Sequence, residues 1–317
     1  MFRLLYRHFI TRYPYLNPLH PIARREAHFA HPQPLPLTFR RLTNIWTLLG
    51  YAAMVHGVLF VVSVISYNRM NSFGGGGVVL PILSPFLTPF GTPLAAAFLS
   101  SLLYWAMLIG LIYHTTLTLS AELERGSWVF LRLTPYPTHE IVLAKLAAVA
   151  RDWAGIVRTL LIVRLIAALI LPISVVSQRT RETTLFTGLD LASFGVFMLQ
   201  PFAEGAMVMG IAALSAVLIR QTFWARITAL GGAALALGLT NGLMGAWLTF
   251  TSPMGSLGAM FIPLGHWTPL FAAVVPPKDG AMFLLQTVIL VALVLLVPLI
   301  VAYSTMRLAT KRLDVAL

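Results

Sequence analysis

The sequence predicts an all-α, polytopic membrane protein with six transmembrane helices. Of its 317 residues, 58% are hydrophobic and only 10% are charged, whereas soluble domains average about 25% charged residues. The mean hydropathy is +0.83. Several stretches reach the roughly 20 apolar residues that an α-helix needs to cross the hydrocarbon core of a bilayer. The chain has no cysteine, which excludes disulfides, thiol catalysis and cysteine metal ligands.

The predicted spans are apolar runs separated by segments that contain charges, prolines or glycines. They cover residues 46–67, 93–119, 153–176, 192–219, 227–250 and 281–302. Together they form a transmembrane domain over residues 46–306, which follows a cytoplasmic or interfacial segment, 1–45, and precedes a cytoplasmic tail, 307–317. The stretch 252–280 contains apolar pieces too short to cross, flanked by Pro, Gly and Trp, and is predicted to be re-entrant or interfacial.

The N-terminal segment is predicted to stay on the mature protein. Residues 1–41 are interrupted by Arg, His and Pro throughout, unlike the continuous apolar core of a signal peptide. The part before Pro14 alternates basic and apolar residues, as in a helix that lies in the headgroup plane. His20, His28 and His31 have no other ligand type clustered with them, so no metal site is predicted there.

The positions of lysine and arginine predict the orientation. With six spans, both termini lie on one side of the membrane. That side collects Arg3, Arg7, Arg12, Arg24, Arg25, Arg40, Arg41, Arg125, Arg132, Lys145, Arg151, Arg220, Arg226, Arg307, Lys311 and Arg312. The other side has only Arg69, Arg179, Arg181 and Lys278. Because cytoplasmic loops carry the excess of basic residues, both termini are predicted to be cytoplasmic, in a cell inner (plasma) membrane. The net charge of +12 is then explained by topology and contact with the lipid bilayer, and no nucleic-acid partner is expected.

The common catalytic motifs are missing from the sequence. It has no Walker A phosphate loop, no HExxH zinc helix and no GxSxG nucleophile elbow, each of which would place reactive groups at a fixed spacing. No catalytic residue, cofactor or metal is therefore predicted, and the chain is not expected to be an enzyme. An intramembrane enzyme would need a catalytic group, for which Glu204 is the sole candidate.

Polar residues inside the predicted spans are the remaining candidates for function. A charge at the bilayer centre costs about 2.5–3.5 kcal/mol on insertion scales, so such residues are usually paired or functional. Arg158 lies near the cytoplasmic end of its span and can extend to the surface. Arg164 is deeper, and Glu204 has Gln200 one helical turn away. An Arg164–Glu204 pair that joins two helices is predicted, and a water-facing, substrate or proton site stays open.

The stretch "AELERGSWVFLRLTPYPTHEIVLAKL", residues 121–146, is amphipathic and lies on the predicted cytoplasmic side. As one helix over 122–133 it would place Leu123, Phe130, Leu131 and Leu133 on one side and Arg125 and Arg132 on the opposite side. Pro135 and Pro137 are predicted to end it. Thr138 is the predicted N-cap of the next helix, whose first turn contains Glu140. The pattern therefore predicts a helix along the membrane surface, a rigid turn, and a helix that leads into the third span.

This stretch resembles the segment that follows the second span in permeases of ABC-2-type ABC transporters. The typical pattern is near E-x-E-x-G-T-x-x-x-L-x-x-T-P-x-x-x-x-E-I-V-L-G-K, and Ser127 and Ala144 replace its Thr and its second Gly. The matching residues are Glu122, Glu124, Gly126, Thr134, Pro135, Glu140, Ile141, Val142, Leu143 and Lys145. The six-span layout, "ALSAVLIRQTFWA" and "NPLHPIARRE" are also similar to members of that family.

The resemblance implies a permease subunit that moves a substrate when driven by a separate cytoplasmic ABC ATPase. It also implies a second permease, as a homo- or heterodimer. Glu122, Glu124 and Arg125 would contact the ATPase, Gly126 and Pro135 would shape the coupling segment, and Glu140 would belong to it. As polar residues inside the predicted spans, Arg158, Arg164, Gln200 and Glu204 are the candidates for a substrate path.

A non-transporting role stays open. A permease-like chain can serve as a scaffold that holds other subunits of a larger membrane complex. A co-purifying ATPase with Walker motifs would favour transport over this alternative.

Overall fold

The computed structural model describes residues 91–165, 191–251, 269 and 280–315, and all regular structure in these ranges is helical. The predicted N-terminal segment, the first span and most of the 252–280 stretch lie outside the described residues. So does the second half of the predicted third span.

The described chain forms eight helices and one π-helical stretch. In chain order they are α1 (Gly91–Glu124), α2 (Trp128–Arg132), α3 (Thr138–Asp152), α4 (residues 154–165), α5 (Leu191–Leu218), α6 (Thr222–Thr251), α7 (Gly280–Leu290), the π-helical stretch (Val291–Leu296) and α8 (Val297–Val315).

Within the described residues, four helical stretches are long and apolar enough to cross a membrane. They are Ser100–Glu124, Ala192–Leu218, Thr222–Met244 and Leu284–Val315. These stretches correspond to the predicted second, fourth, fifth and sixth spans. The last one continues to Val315, so no break in helical structure separates the predicted tail from its span. The helical, membrane-spanning class is confirmed, and the count of six spans stays a prediction.

The centre of the bundle is α5, which packs against α1, α6, the π-helical stretch and α8. The main apolar cluster joins residues of α1, α3, α4, α5 and α6, among them Leu108, Leu111, Leu160, Met207 and Ala233. On the outside, α6, α7 and α8 expose large apolar side chains such as Leu235, Leu239, Val288 and Ile300. An exposed apolar belt of this kind is what a lipid-facing helix surface requires.

Small residues permit two close helix contacts. A Cβ on Gly110 would lie 1.9 Å from the Trp153 ring, and one on Gly210 would lie 3.0 Å from the Ala302 carbonyl oxygen. Close backbone approach at such residues is typical of helix packing in membranes. Gly210 therefore lies at a close contact between α5 and α8. In α6, by contrast, a Cβ on Gly231 or Gly238 would meet no atom of the described chain within 4 Å.

Several helix ends meet at one end of the bundle, which we call the Glu124 end. It contains the end of α1, α2, the start of α3 and the end of α8, joined by an apolar cluster that includes Leu119, Trp128, Ile141 and Leu313. The start of α6 meets the end of α1 there, because the Thr222 N–H donates to Glu124. Exposed basic residues surround this end: Arg125, Arg132, Arg220, Lys311 and Arg312.

Candidate functional site

The 121–146 segment, which we call the elbow, reverses the chain between α1 and α3. Helix α1 continues to Glu124, and the chain then turns at Gly126, whose φ is +68°. Glycine adopts this left-handed conformation without the steric cost of a Cβ. The single helix predicted over 122–133 is therefore wrong: residues 122–124 end α1, and only Trp128–Arg132 form α2.

The turn also changes which side chains of the elbow face the bundle. Trp128 and Leu131 are buried and hold α2 against α3, α5 and α8. Phe130 and Leu133 are 72% and 78% exposed, so they do not share a face with Leu131 as predicted. Side chains on the two sides of Gly126 do not follow one helical period, because the chain changes direction at this residue.

Helix α3 begins close to the predicted position. Its N-cap is Pro137 and not Thr138, and Glu140 lies in its first turn as predicted. Thr138 is the first helical residue, and its hydroxyl donates a hydrogen bond of 2.6 Å to Asp314 Oδ1 near the end of α8. Helix α2 ends at Arg132, before Pro135.

Glu122 connects α1 to α3. Its Oε1 lies 3.2 Å from Lys145 Nζ, and its Oε2 accepts a hydrogen bond of 2.7 Å from Ser127 Oγ. The Lys145 side chain is fully buried, whereas that of Glu122 is 15% exposed. A buried ammonium requires such a partner, because an uncompensated charge in a low-dielectric site is strongly unfavourable.

Glu124 connects α1 to α6. Its Oε1 accepts the backbone N–H of Thr222, the first residue of α6, at 2.5 Å. The first N–H groups of a helix have no partner within that helix, so a carboxylate there satisfies an orphan donor and opposes the positive end of the helix dipole. A second contact joins the same helices, since the Arg226 guanidinium carbon lies 3.9 Å from the centre of the Tyr113 ring.

The elbow is therefore fixed to α6 and α8 by polar contacts of Glu124 and Thr138, and the Glu122–Lys145 pair joins its own two ends. Its outward surface consists of the basic residues Arg125 and Arg132 and the apolar residues Val129, Phe130 and Leu133, all exposed. This surface is not buried by any contact within the described chain.

A buried polar network lies inside the bundle, centred on Glu204 of α5. The Tyr104 hydroxyl donates to Glu204 Oε2, and Gln200 Nε2 donates to Oε1 at 3.1 Å. Asn241 of α6 also lies close to this carboxylate. Tyr104, Gln200 and Glu204 are almost completely buried. The network thus holds a carboxylate between α1, α5 and α6.

Arg164 of α4 belongs to the same network. Its Nη1 donates to the Phe197 carbonyl oxygen at 2.5 Å and lies 3.5 Å from Gln200 Oε1. This carbonyl is available because residue 201, four positions later in α5, is a proline, and proline has no N–H to complete the helical hydrogen bond. The Phe197 and Tyr104 rings lie 4.4 Å and 5.3 Å from the guanidinium carbon. The fully buried guanidinium is therefore held by a carbonyl and two aromatic faces.

The predicted Arg164–Glu204 pair is thus indirect, because Gln200 lies between the two side chains and bonds to both. Arg158 faces outward, is exposed and does not belong to this network. At about 1.5 Å per residue, Tyr104 and Glu204 lie roughly 20–30 Å along α1 and α5 from the Glu124 end. The network and the elbow are therefore separate sites.

Some members of these sites were not predicted from the sequence. Tyr104, Phe197 and Asn241 lie on apolar spans where no charge marks them. Pro201 was a usable signal, because an intrahelical proline frees the carbonyl four residues earlier. His114 of α1 accepts a hydrogen bond of 3.1 Å at Nδ1 from Trp153 Nε1.

The described residues contain no group of three or more His, Cys, Asp or Glu side chains that could hold a metal ion. Comparison with known proteins finds no family model, no curated protein and no solved structure that matches the chain. What the protein does is therefore inferred from the elbow, the buried network and the motif within residues 121–146.

Proposed function

We propose that this protein is the membrane-spanning permease subunit of an ABC-2-type ABC transporter. It moves a substrate across the inner (plasma) membrane, driven by a cytoplasmic ATPase on a separate subunit. A second permease, identical or different, completes the substrate route, and both termini lie in the cytoplasm.

The observation that carries the proposal is the anchoring of the elbow. Glu122, Glu124 and Thr138 bond to α3, α6 and α8 respectively. On the outward surface of α2, the Phe130 side chain is 72% exposed and is not covered by apolar residues of the described chain. A short helix that is fixed on one side and exposes apolar and basic side chains on the other suits a partner protein that moves the helices to which it is bonded.

The contacts of the elbow divide its residues between two roles. Because Glu122 and Glu124 are engaged within the chain, we assign them to transmission of force from α2 and not to the ATPase surface. Arg125, Phe130 and Leu133 supply the docking surface. Gly126 provides the turn that points this surface away from the bundle.

The charge distribution supports a cytoplasmic position for the elbow. Exposed basic residues from α1–α3, the α5–α6 connection and the end of α8 gather at the Glu124 end, and basic residues are enriched on the cytoplasmic side of membrane proteins. The lack of a Walker A loop in the sequence supports ATP binding on another subunit. The buried network of Arg164, Gln200 and Glu204 is the proposed contact with cargo.

Replacing Phe130 tests the docking surface. Burying a Phe side chain contributes about 1.5–3 kcal/mol, so Phe130→Ser should reduce ATPase binding by about tenfold or more. The tagged full chain is purified from its own membranes in mild detergent, co-purifying proteins are identified by mass spectrometry, and ATP hydrolysis is measured. We expect a Walker-motif ATPase with the wild type and little with the variant.

Phe223→Ser is the matched control. Phe223 is also at the Glu124 end and is 65% exposed, but it lies in the first turn of α6. It should leave ATPase recovery unchanged. Equal recovery with Phe130→Ser and the wild type would contradict the docking surface. If the wild type retains other membrane subunits and no ATPase, the chain is a scaffold and the transport proposal fails.

A further inference from the structure

The guanidinium of Arg164 uses only part of its hydrogen-bonding capacity. Nη1 donates to the Phe197 carbonyl and faces Gln200. Nε and Nη2 have no hydrogen-bond partner among the described residues, although the side chain is fully buried. A buried donor without an acceptor is costly, so such groups in native proteins usually have a reason.

The two donors without partners form one edge of the guanidinium plane. The N–H of Nε and one N–H of Nη2 point side by side, and this fork matches the two oxygens of a carboxylate or phosphate group. A lysine could not present the same parallel pair. The geometry of the free edge therefore specifies a ligand with two adjacent oxygen atoms and a negative charge.

The carboxylate of the network itself is engaged elsewhere. Both oxygens of Glu204 accept hydrogen bonds, one from Gln200 and one from Tyr104. Around Arg164, the nearest groups are the Phe197 carbonyl and the rings of Phe197 and Tyr104, which fix the plane of the guanidinium. The surroundings therefore orient the positive charge but leave it without an anionic partner in the described chain.

We propose that the Nε–Nη2 edge of Arg164 binds an oxyanion group, a carboxylate or a phosphate, within the bundle. Pro201 contributes by leaving the Phe197 carbonyl free to hold Nη1, so that the opposite edge keeps a fixed direction. That the bound molecule is the transported cargo rests on the proposed function, whereas the binding itself does not.

The test measures binding to the purified full chain without any ATPase, so a failed transport proposal leaves it intact. The chain is exchanged into a neutral detergent free of carboxylate and phosphate. Thermal unfolding and native mass spectrometry are then recorded with palmitate, phosphatidic acid, acetate or inorganic phosphate. Saturable stabilisation by palmitate or phosphatidic acid alone identifies a lipid-borne oxyanion, and stabilisation by acetate or phosphate identifies a free one.

Arg164→Lys tests the role of the fork, because it keeps the charge but lacks the paired donors. We expect its affinity for the effective probe to fall by about tenfold or more, as for the loss of a charged hydrogen bond. Arg158→Lys is the matched control, since Arg158 is an exposed arginine on the same helix. It should bind as the wild type does.

Pro201→Ala gives a second measurement that does not endanger the fold. It restores the helical N–H to the Phe197 carbonyl and should detach Nη1, so the affinity should fall while α5 stays intact. The proposal is overturned if none of the four probes stabilises the wild type saturably. It is also overturned if Arg164→Lys binds like Arg158→Lys, or if Pro201→Ala, used where Arg164→Lys does not fold, leaves the affinity unchanged.

Discussion

Lys145 and Arg164 are fully buried basic residues of the described chain, and different groups compensate their charges. Lys145 has a carboxylate partner, Glu122, at the Glu124 end. Arg164 has a backbone carbonyl and two rings within the bundle. The Lys145–Glu122 pair is therefore a structural contact between helices. The surroundings of Arg164 leave N–H donors that a ligand can bind.

Removing either partner of the Glu122–Lys145 pair should have unequal effects. Glu122→Gln removes the carboxylate that lies 3.2 Å from a fully buried ammonium, and removing one member of a buried pair costs about 3–5 kcal/mol. Lys145→Met leaves Glu122, which is partly exposed and still bonded to Ser127. We expect the larger fall in the thermal unfolding midpoint for Glu122→Gln.

The double variant Glu122→Gln, Lys145→Met serves as the control for this pair. It removes both charges and should recover much of the stability that Glu122→Gln loses, because the two residues are directly coupled. Additive losses in the double variant, or a greater loss for Lys145→Met alone, would show that the pair is not the compensating interaction.

Some of these side-chain contacts can be predicted from the sequence. Glu204 and Arg164 stand out because charges are rare in apolar spans, and both do lie in one network. Gln200 separates their side chains, and Arg164 bonds instead to the Phe197 carbonyl, which lacks a helical N–H partner because residue 201 is a proline. The Glu124–Thr222 contact spans 98 positions, and no local pattern encodes the meeting of two helix ends so distant in the chain.

At the scale of elements, Gly126 determines the shape of the elbow. Gly126→Ala should destabilise the protein by about 1–2 kcal/mol, the cost of a left-handed backbone for a residue with a Cβ. No described atom lies within 4 Å of the added Cβ, so the cost is one of backbone conformation alone. The measurement is the thermal unfolding midpoint in detergent, which should fall by a few degrees.

Gly238→Ala makes the same substitution at a residue with helical backbone conformation, and it is the control for Gly126→Ala. Gly238 lies within α6 and also has open space around its Cβ within the described residues. Since alanine favours helix over glycine by about 1 kcal/mol, this variant should be neutral or stabilising. The same effect at both positions would contradict the assigned role of the Gly126 turn.

Helices are predicted well where the length of an apolar run is enough to define them. The span predicted over residues 192–219 is observed as Leu191–Leu218. The elbow is predicted less well. The helical periodicity of the sequence continues through Gly126, but the chain changes direction at that residue. The predicted order of helix, turn and helix is correct, but α2 is only five residues long.

At the scale of the whole molecule, the bundle combines a lipid-compatible surface with a polar interior and one basic end. Exposed leucines on α6 and α7 face outward, whereas Gln200 and Glu204 of α5 face inward. The elbow lies at the basic end, roughly 20–30 Å along the helices from the buried network. In the proposed transporter, force applied at α2 would reach the network through α1, α3 and α6.

The most direct test of the ATPase-coupling proposal is photo-crosslinking from Phe130 in intact cells. A photoreactive amino acid at position 130 is expected to capture a cytoplasmic ATPase with a Walker A motif, identified by mass spectrometry. The same amino acid at Leu239, exposed on the apolar side of α6, should not capture it. Crosslinks from position 130 to lipid alone, or only to proteins without an ATPase domain, would contradict the account.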